Sequence, residues 1–329
     1  MNKLLTIAIP TYNGSNTICT MLDILLPQVS EEVELIVCDN CSTDNTFEII
    51  SKYSEQYPIR YIRNEKNIGP DANFLKCMKL AEGKYTFLLS DDDILIEGAL
   101  VKILDFLKKY DDVDFIYLET VGFKQNYNGI KSTFPYKEFN SFIKQSLCTN
   151  DKKEFMNYSI RMWGFMSSYA WKTSDFQSID NPELYFNTYW LQSYIHILCC
   201  NGDKKLGVIK GPIIAAGQYA GVNNFDVSVV DGINYLKMME FAINHGFDEK
   251  QLKKFYLWRV CFLGRNAVLK EKIAKRGKTR KKTLFSILHR KVYAWFHLFP
   301  YFFIPRWVLL IRNKIVGYKA GSNIKRLEE

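Results

Sequence analysis

Three consecutive aspartates, Asp91, Asp92 and Asp93, follow the apolar run 86–89 after a single serine, Ser90. Adjacent carboxylates repel one another, and a surface turn can be made with one Asp followed by Gly or Asn. Three acids at a strand end therefore favour a bound cation. Mg²⁺ or Mn²⁺ prefers such hard oxygen ligands and often shares them with substrate phosphates. The alternative is a solvated turn in which Asp93 caps the next helix.

The elements that would position these acids alternate regularly over residues 1–120. Strands are predicted at 5–10, 33–39, 59–64, 85–90 and 113–119, and helices at 15–26, 44–53, 71–81 and 97–110. Strands that alternate with helices of about ten residues predict βαβ units. The predicted fold class is therefore α/β, with a mostly parallel, Rossmann-like sheet flanked by helices.

Such sheets bind their ligands beyond the carboxyl ends of the strands. The first four predicted strands are each followed by polar residues, namely 10–13, 39–42, 64–69 and 91–93. Together these groups predict a site for a polar ligand and a cation. No GxxxxGK[ST] or GxGxxG motif is present, so a diphosphate would be held mainly through a metal at the acidic turn.

Beyond residue 121 the alternation fades and aromatic residues become frequent. We predict a buried strand at 162–171, a helix at 185–200, two short strands within 206–217, and helices at 235–244 and 249–269. The predicted organisation is a ligand-binding half at 1–120, a second part at 121–263 and basic amphipathic helices at 264–329.

The net charge of +9 is concentrated at the C-terminus. Residues 264–329 contain 17 Lys and Arg against three acids, a net of +14, which leaves −5 for the rest. Their basic residues are interleaved with long aromatic runs, which predicts helices lying on an anionic membrane surface rather than a nucleic-acid-binding fold. Packing on the catalytic domain or a homo-oligomer contact is the alternative.

The eight cysteines lie mostly within apolar segments, as expected of buried thiols in a reducing compartment. One CxxC motif, Cys38 to Cys41, permits a redox interpretation, but the sequence has no other thioredoxin-like feature. The N-terminal apolar run is too short for a signal peptide, so a cytoplasmic location is expected.

Four segments carry a family resemblance: AIPTYNGSNTI (8–18), LIVCDNCSTDNT (35–46), NEKNIGPDANF (64–74) and GKYTFLLSDDDIL (83–95). In this order and spacing they resemble family 2 glycosyltransferases of the GT-A fold. The resemblance covers roughly residues 3–120, and it implies a nucleotide-sugar-binding half at 1–120 and an acceptor-side part at 121–263. Its motif forms are most similar to abequosyltransferase-like and other bacterial surface-polysaccharide glycosyltransferases.

The resemblance implies an inverting, metal-dependent glycosyltransferase (EC 2.4 class) of bacterial surface polysaccharide synthesis. The donor would be a nucleoside-diphosphate sugar, the acceptor a hydroxyl of a glycan or lipid-linked glycan, and the cofactor Mn²⁺ or Mg²⁺. Enzymes of this kind often act on lipid-linked acceptors, which implies a peripheral position at the inner face of the cell membrane.

The resemblance also implies residue roles. Pro10, Thr11, Tyr12 and Asn13 would line the nucleotide pocket, and Asp39 would accept a hydrogen bond from the base. Asn67 and Gly69 would shape the wall near the ribose and diphosphate. Asp91 and Asp93 form the metal-binding DxD pair, with Asp93 on the metal, Asp91 also on the sugar or ribose, and Asp92 between them.

The catalytic base stays unassigned at this stage. Many relatives have a Glu-Asp pair where this chain has Trp190-Leu191, and many have an Arg where it has Ala72. Asp180 and Glu183 are the favoured base candidates, with His196 and Asp175 nearby. The missing pair also supports an alternative function, a non-catalytic nucleotide-sugar-binding protein on the same fold.

Overall fold

The computed structural model describes residues 3–123, 141, 143–217, 230, 234–256 and 308. The chain divides into two compact units, Met1–Tyr219 and Ala220–Glu329. Except for residue 308, the basic segment 264–329 lies outside the described residues, as does 257–269 of the last predicted helix.

The described strands of the first unit form one sheet. They are β1 (Leu5–Thr11), β2 (Val33–Asp39), β3 (Ile59–Arg63), β4 (Tyr85–Leu88), β5 (Ile94–Leu95), β6 (Phe115–Phe123), β7 (Leu147–Thr149), β8 (Tyr169–Lys172) and β9 (Leu206–Gly217). Their order is β3-β2-β1-β4-β8-β6-β9-β5, with β7 beside β9.

Helices join most of these strands. They are α1 (Ile18–Leu25), α2 (Thr46–Ser54), α3 (Pro70–Leu80), α4 (Ala99–Lys109), α5 (Lys152–Ser159), α6 (Thr173–Gln177) and α7 (Leu191–Cys199). In α4, Leu100, Ile103, Leu104 and Leu107 are buried at the spacing of one helical face. All seven residues of β1 are buried, as expected of a central parallel strand. The five strands and four helices predicted in residues 1–120 are confirmed within a few residues.

Strands β3, β2, β1 and β4 are parallel, so their carboxyl ends lie at one side of the sheet, here called the carboxyl edge. Strand β8 pairs antiparallel with both β4 and β6 and separates them. Strand β6 therefore points in the same direction as β4 without being its neighbour. The later strands complete the same sheet, in a mixed rather than purely parallel arrangement.

Three predictions for the second half need correction. The predicted strand at 162–171 is wrong except for Tyr169–Lys172, because short 3₁₀ turns at Ile160–Met162 and Met166–Ser168 precede it. The helix predicted from residue 185 begins at Leu191, since Asn187 and Tyr189 have positive φ angles of 61° and 63°. The two strands expected in 206–217 are one strand, β9, whose pairing with β6 shifts register between Leu118 and Thr120.

In the second unit the structure describes helix α8 (Tyr235–Asn244) and a helical segment at 249–256. The first matches its predicted bounds, and the Tyr235 and Tyr256 rings of the two segments stack at 6.1 Å. Among the described helices, none combines the length and apolar character needed to cross a bilayer.

Candidate active site

The loops after β1 and β2 are joined by hydrogen bonds at the carboxyl edge. The backbone N–H of Asn13 donates to Ser42 Oγ (2.9 Å), and that of Thr43 donates to Asn13 Oδ1 (2.8 Å). Pro10 and Thr11 are buried beneath this junction, and Tyr12 is 47% exposed above it. The predicted pocket residues 10–13 therefore form one rigid corner with an accessible aromatic ring.

Asp39, at the end of β2, has a fully buried carboxylate. Its Oδ1 accepts from the backbone N–H (2.9 Å) and the hydroxyl (2.6 Å) of Ser42. Its Oδ2 accepts from the Tyr61 hydroxyl (2.7 Å) and lies 3.5 Å from Arg63 Nε. A carboxylate offers about four lone-pair sites, and these contacts account for all of them. A hydrogen bond from a base to Asp39, the predicted role, would require one of these contacts to be given up.

An asparagine network fixes the loop before α3. Asn40 Nδ2 donates to Asn67 Oδ1 (2.9 Å) and to the carbonyl of Gly69 (3.2 Å), while Asn40 Oδ1 accepts from the backbone N–H of Ile68 (2.9 Å). Asn64 Nδ2 also donates to Asn40 Oδ1 (3.0 Å). Asn67 and Gly69 thus lie beside the end of β2. The sequence pattern places Asn40 and Asn64 only within the polar groups 39–42 and 64–69. It does not predict their role in fixing this loop.

Asp91 lies against the first strand. The Thr11 hydroxyl donates to Asp91 Oδ2 (2.5 Å), although the two residues are 80 positions apart. Burial, together with the negative charges of Asp92 and Asp44, raises the pKa of Asp91 to about 7 despite this hydrogen bond. At neutral pH the folded chain therefore holds this carboxylate in an environment that disfavours its charge.

The other two acids of the turn are held by serines. Asp93 is 1% exposed and its Oδ2 accepts from the Ser167 hydroxyl (2.5 Å). Asp92 Oδ1 accepts from the Ser90 hydroxyl (2.5 Å). Ser167 comes from the segment before β8, so a residue more than 70 positions later in the chain positions Asp93. This contact was not predicted, because nothing in the sequence distinguishes Ser167 from a surface serine.

The acidic turn fits a divalent cation in its chemistry. Among the described residues no Lys or Arg forms an ion pair with Asp91, so none of them neutralises its charge. Carboxylate oxygens suit Mg²⁺ or Mn²⁺. No three His, Cys, Asp or Glu side chains of the described ranges converge as a metal site. A cation at Asp91 and Asp93 would therefore need further oxygens, such as those of a diphosphate.

Gly14 lies in the loop after β1, at the point where that loop approaches Asp91. A Cβ atom there would collide with Asp91 Oδ2 and lie 2.5 Å from Thr11 Oγ1. Both atoms belong to side chains that can move, so Gly14→Ala should fold normally while displacing the Asp91 carboxylate. A shift of about 1 Å at such a group can cost on the order of 100-fold in rate. We expect a loss of that order in the rate of any reaction that uses the Asp91 carboxylate, with little change in melting temperature.

Gly83→Ala is the matched control for this variant. Its Cβ would lie 2.7 Å from the backbone nitrogen of Thr6, which cannot move aside, and Gly83 is far from the carboxyl edge. Gly83→Ala should lower the melting temperature, but it should not weaken ligand binding at the carboxyl edge beyond the effect of that lower stability. Equal melting temperatures and equal rates for Gly14→Ala and wild type would show that Asp91 tolerates displacement.

His196, one base candidate, lies in the core. It is 1% exposed and packs against the rings of Phe115, Tyr169 and Trp171, with centroids 4.6–5.5 Å away. Within the described part of the chain, neither ring nitrogen has a hydrogen-bond partner. Burial lowers the pKa of His196 to about 3, so the ring stays neutral at ordinary pH. An acceptor hydroxyl cannot reach it, which argues against its role as the base.

Asp180 and Glu183 lie away from the acidic turn. Helix α3 starts at the carboxyl edge and ends near the start of β4, and its Lys79 pairs with Glu183 (2.8 Å). Asp180 follows α6, which starts beside Tyr85 at the opposite edge of the sheet. The hydrogen bond from Lys79 also lowers the pKa of Glu183, which weakens it as a base. Asp175, the remaining candidate, pairs with Lys204 (2.8 Å).

The chain returns to the carboxyl edge after Glu183. The backbone N–H of Asn187 donates to Asp71 Oδ2 (2.7 Å), in the first turn of α3. Trp190 packs over Gly164, which can carry no side chain there, and Gln192 Nε2 donates to the Gly164 carbonyl (2.8 Å). The start of α7 thus lies beside the segment that holds Asp93. Burial raises the pKa of Asp71, an acid at this edge that sequence reasoning did not select.

Comparison with known proteins decides the family. The model of glycosyl transferase family 2 matches residues 6–172, which is half of the chain. The chain belongs to glycosyl transferase family 2. The matched range contains the loops after β1, β2 and β3, the acidic turn and the Ser167 segment, and so confirms the resemblance drawn from the four motifs.

Two similar bacterial proteins are named for the sugars that they transfer. The abequosyltransferase RfbV of Salmonella typhimurium is 35% identical over 114 residues, 33% of this chain and 34% of that protein. The poly(ribitol-phosphate) beta-N-acetylglucosaminyltransferase TarS of Staphylococcus aureus is 30% identical over 121 residues, 36% of this chain and 21% of that protein. The matched stretch spans about a third of the first relatives' own length.

Solved structures confirm the GT-A fold. The crystal structure of S. aureus TarS 1-349 in complex with UDP-GlcNAc superposes with a TM-score of 0.64 at 17% identity, covering 88% of this chain and 81% of that one. A mannosyltransferase from Pyrobaculum calidifontis in complex with GDP-Man and Mn²⁺ gives a TM-score of 0.50 at 13% identity, covering 96% and 88%. At these identities the likeness concerns the fold.

Proposed function

We propose that this family 2 member is an inverting glycosyltransferase of bacterial surface glycan synthesis. It moves a sugar from a nucleoside-diphosphate sugar to a hydroxyl of a glycan or lipid-linked glycan. The observation that carries the proposal is the pairing of Asp91 with Thr11 at the carboxyl edge, beside Asp93 and the joined loops of β1 and β2. The names of the similar abequosyl- and N-acetylglucosaminyltransferases support it.

The donor's diphosphate would lie at the acidic turn, with Mn²⁺ or Mg²⁺ held by Asp91 and Asp93. When bound, the cation neutralises the charge that develops on the departing nucleoside diphosphate. The P. calidifontis mannosyltransferase, whose structure is a complex with GDP-Man and Mn²⁺, supports this assignment. Thr11 and Ser167 orient the two carboxylates through their hydroxyls.

The remaining parts of the donor would follow the carboxyl edge towards β3. Tyr12 offers an exposed ring for stacking, and the Asn40 network holds Asn67 and Gly69 as a wall. The acceptor would enter from the side of Ser167 and the start of α7. Its hydroxyl attacks the anomeric carbon opposite the leaving diphosphate, and a base removes the proton.

A panel of nucleotide sugars tests the proposal. Full-length protein is incubated with Mn²⁺ and UDP-, GDP-, CDP- and dTDP-sugars, with and without short glycan acceptors, and release of nucleoside diphosphate is measured. Release from one donor class, increased by an acceptor, is the expected result. Tight nucleotide binding without any release would instead favour the second candidate, a non-catalytic nucleotide-sugar-binding protein. That candidate is favoured by Trp190-Leu191 at the start of α7, neither of which can accept a proton.

We also propose that residues 264–329 hold the enzyme peripherally at the inner face of the cell membrane, where lipid-linked acceptors would be presented. Each basic residue near an anionic leaflet adds about 1 kcal/mol of attraction. Full-length protein should therefore sediment with anionic liposomes at low salt, while a chain truncated after Arg265 stays in the supernatant and still binds nucleotide. Equal sedimentation of the two chains would assign this segment to packing or to an oligomer contact.

A further inference from the structure

Arg63 is a partly exposed cation at the carboxyl edge. It is the last residue of β3, its Cα pairs with Asp39 of β2, and its side chain is 40% exposed. Arg60 on the same strand is equally exposed, at 42%, but pairs with Glu34 (3.1 Å) and Glu82 (2.8 Å). The charge of Arg60 is thus neutralised by two carboxylates, whereas among the described residues the only carboxylate that pairs with Arg63 is that of Asp39.

The guanidinium of Arg63 is held in place by three groups. Its Nη2 donates to the carbonyl of Ser42 (2.8 Å), its Nε lies 3.5 Å from Asp39 Oδ2, and its central carbon lies 5.1 Å from the centre of the Phe47 ring. A planar group fixed in this way presents its remaining N–H donors in a set direction. Within the described part of the chain, no acceptor bonds to Nη1, so its two donors are available to a ligand.

Arg63 is connected to the acidic turn through the joined loops. Ser42, which accepts from Arg63, also accepts from Asn13, and the next residue, Gly14, abuts Asp91. Strands β3 and β4 are three spacings apart in the sheet, or about 14 Å. In a nucleoside diphosphate, the diphosphate and the base are at opposite ends. A nucleotide whose diphosphate lies at Asp91 and which follows the carboxyl edge towards β3 therefore places its base near the end of β3.

We propose that Arg63 contacts the base of the donor nucleotide and selects a base that presents a carbonyl oxygen, an inference that rests on the proposed function. A guanidinium only donates hydrogen bonds. The carbonyl oxygens of uracil, thymine and guanine can accept them, whereas the exocyclic amino group of adenine is itself a donor. Asp39 contributes indirectly, because its four acceptor positions hold Ser42, Tyr61 and Arg63 in place.

The test is the base preference of nucleotide binding. Dissociation constants of UDP, GDP and ADP are measured by calorimetry with Mn²⁺ for wild type, Arg63→Ala and Arg60→Ala. Wild type should bind UDP or GDP roughly 10- to 100-fold more tightly than ADP, the range that one well-placed guanidinium supplies. Arg63→Ala should lose most of this preference, and Arg60→Ala should keep it.

A second variant distinguishes a direct contact between Arg63 and the base from structural support of the site by the hydrogen bonds of Asp39. Tyr61→Phe removes one hydrogen bond to Asp39 but leaves the guanidinium of Arg63 in place, so it should keep the base preference. Loss of the preference in Tyr61→Phe to the same extent as in Arg63→Ala would overturn the inference, as would an unchanged preference in Arg63→Ala. Failure of wild type to bind these three nucleotides, and CDP and dTDP in the same assay, would overturn the proposed function and the inference together.

Discussion

Asp93→Ala should reduce sugar transfer on the order of 1000-fold, because it removes a carboxylate from the place where the donor's diphosphate is to be neutralised. Asp91→Ala should follow with a smaller loss. The buried position of Asp93 means that the variant also leaves the Ser167 hydroxyl without its acceptor, at a cost of about 1–3 kcal/mol in the free energy of unfolding. Initial rates at saturating donor and Mn²⁺, with melting temperatures alongside, measure both effects.

Asp93→Asn separates the two effects, since it keeps a side-chain oxygen for Ser167 and loses only the charge. It should be nearly as stable as wild type and still lack transfer. Asp112→Ala is the control for removal of an acid elsewhere, because Asp112 pairs with Lys205 in front of β6, at the opposite edge. Near-normal turnover by Asp93→Ala with metal present would exclude a metal and diphosphate site at this turn.

The raised pKa of Asp91 adds a pH-dependent signature to the same turn. The folded chain disfavours the charged carboxylate, so wild type loses stability as the pH rises from the unfolded value near 4 to about 7. Asp91→Asn removes this loss. The metal-free variant should therefore be more stable than wild type at pH 8, by on the order of a few kcal/mol, and the difference should shrink towards pH 4.

Asp39→Ala should have the second-largest effect, and on stability as well as on donor binding. It leaves the Tyr61 hydroxyl and two donors of Ser42 without their acceptor, and each buried donor left unsatisfied costs about 1–3 kcal/mol in the free energy of unfolding. The side chain of Arg63, which is 40% exposed, loses its ion pair but stays solvated. Because Ser42 and Arg63 then lose their positions, nucleotide affinity should also fall by about 1–3 kcal/mol. Chemical denaturation and calorimetric titration measure the two losses separately.

Glu34→Ala is the matched control for Asp39→Ala. Glu34 lies on the same strand, towards its other end, and accepts from Thr6 (2.6 Å), Arg60 (3.1 Å) and the backbone of Glu82 (2.9 Å). Its loss should destabilise the fold and leave nucleotide affinity unchanged. If Asp39→Ala behaved in the same way, the base would bind elsewhere than at the end of β2.

The placement of the site could be predicted because it depends on local patterns. Thr11 and Asp91 end neighbouring parallel strands, so alternating strands and helices are enough to bring their loops together. The motif residues around them then indicate the proposed binding of a metal ion and a diphosphate. Asn67 and Gly69, which the resemblance implies as part of the pocket wall, also lie at this edge, beside the end of β2.

The acceptor side could not be predicted in the same way, because its contacts are non-local. Strand β8 lies between β4 and β6 in the sheet, although it begins some 50 residues after the end of β6. The segment that precedes β8 places Ser167 beside Asp93. Asp180 and Glu183 are close in sequence to the expected base, but the direction of α3 places Glu183 with Lys79, away from the acids. The sequence also cannot show that Asp39 uses all of its acceptor positions within the chain.

The dependence of nucleotide binding on metal tests the central claim most directly. The dissociation constant of the preferred nucleoside diphosphate is measured by calorimetry with Mn²⁺ and with EDTA, for wild type and for Asp91→Asn. A cation shared between Asp91, Asp93 and the diphosphate predicts that Mn²⁺ tightens binding to wild type roughly tenfold or more and has little effect on the variant. Equal affinities of wild type with and without metal, or a full metal effect in Asp91→Asn, would contradict the assignment of the acidic turn as the donor site.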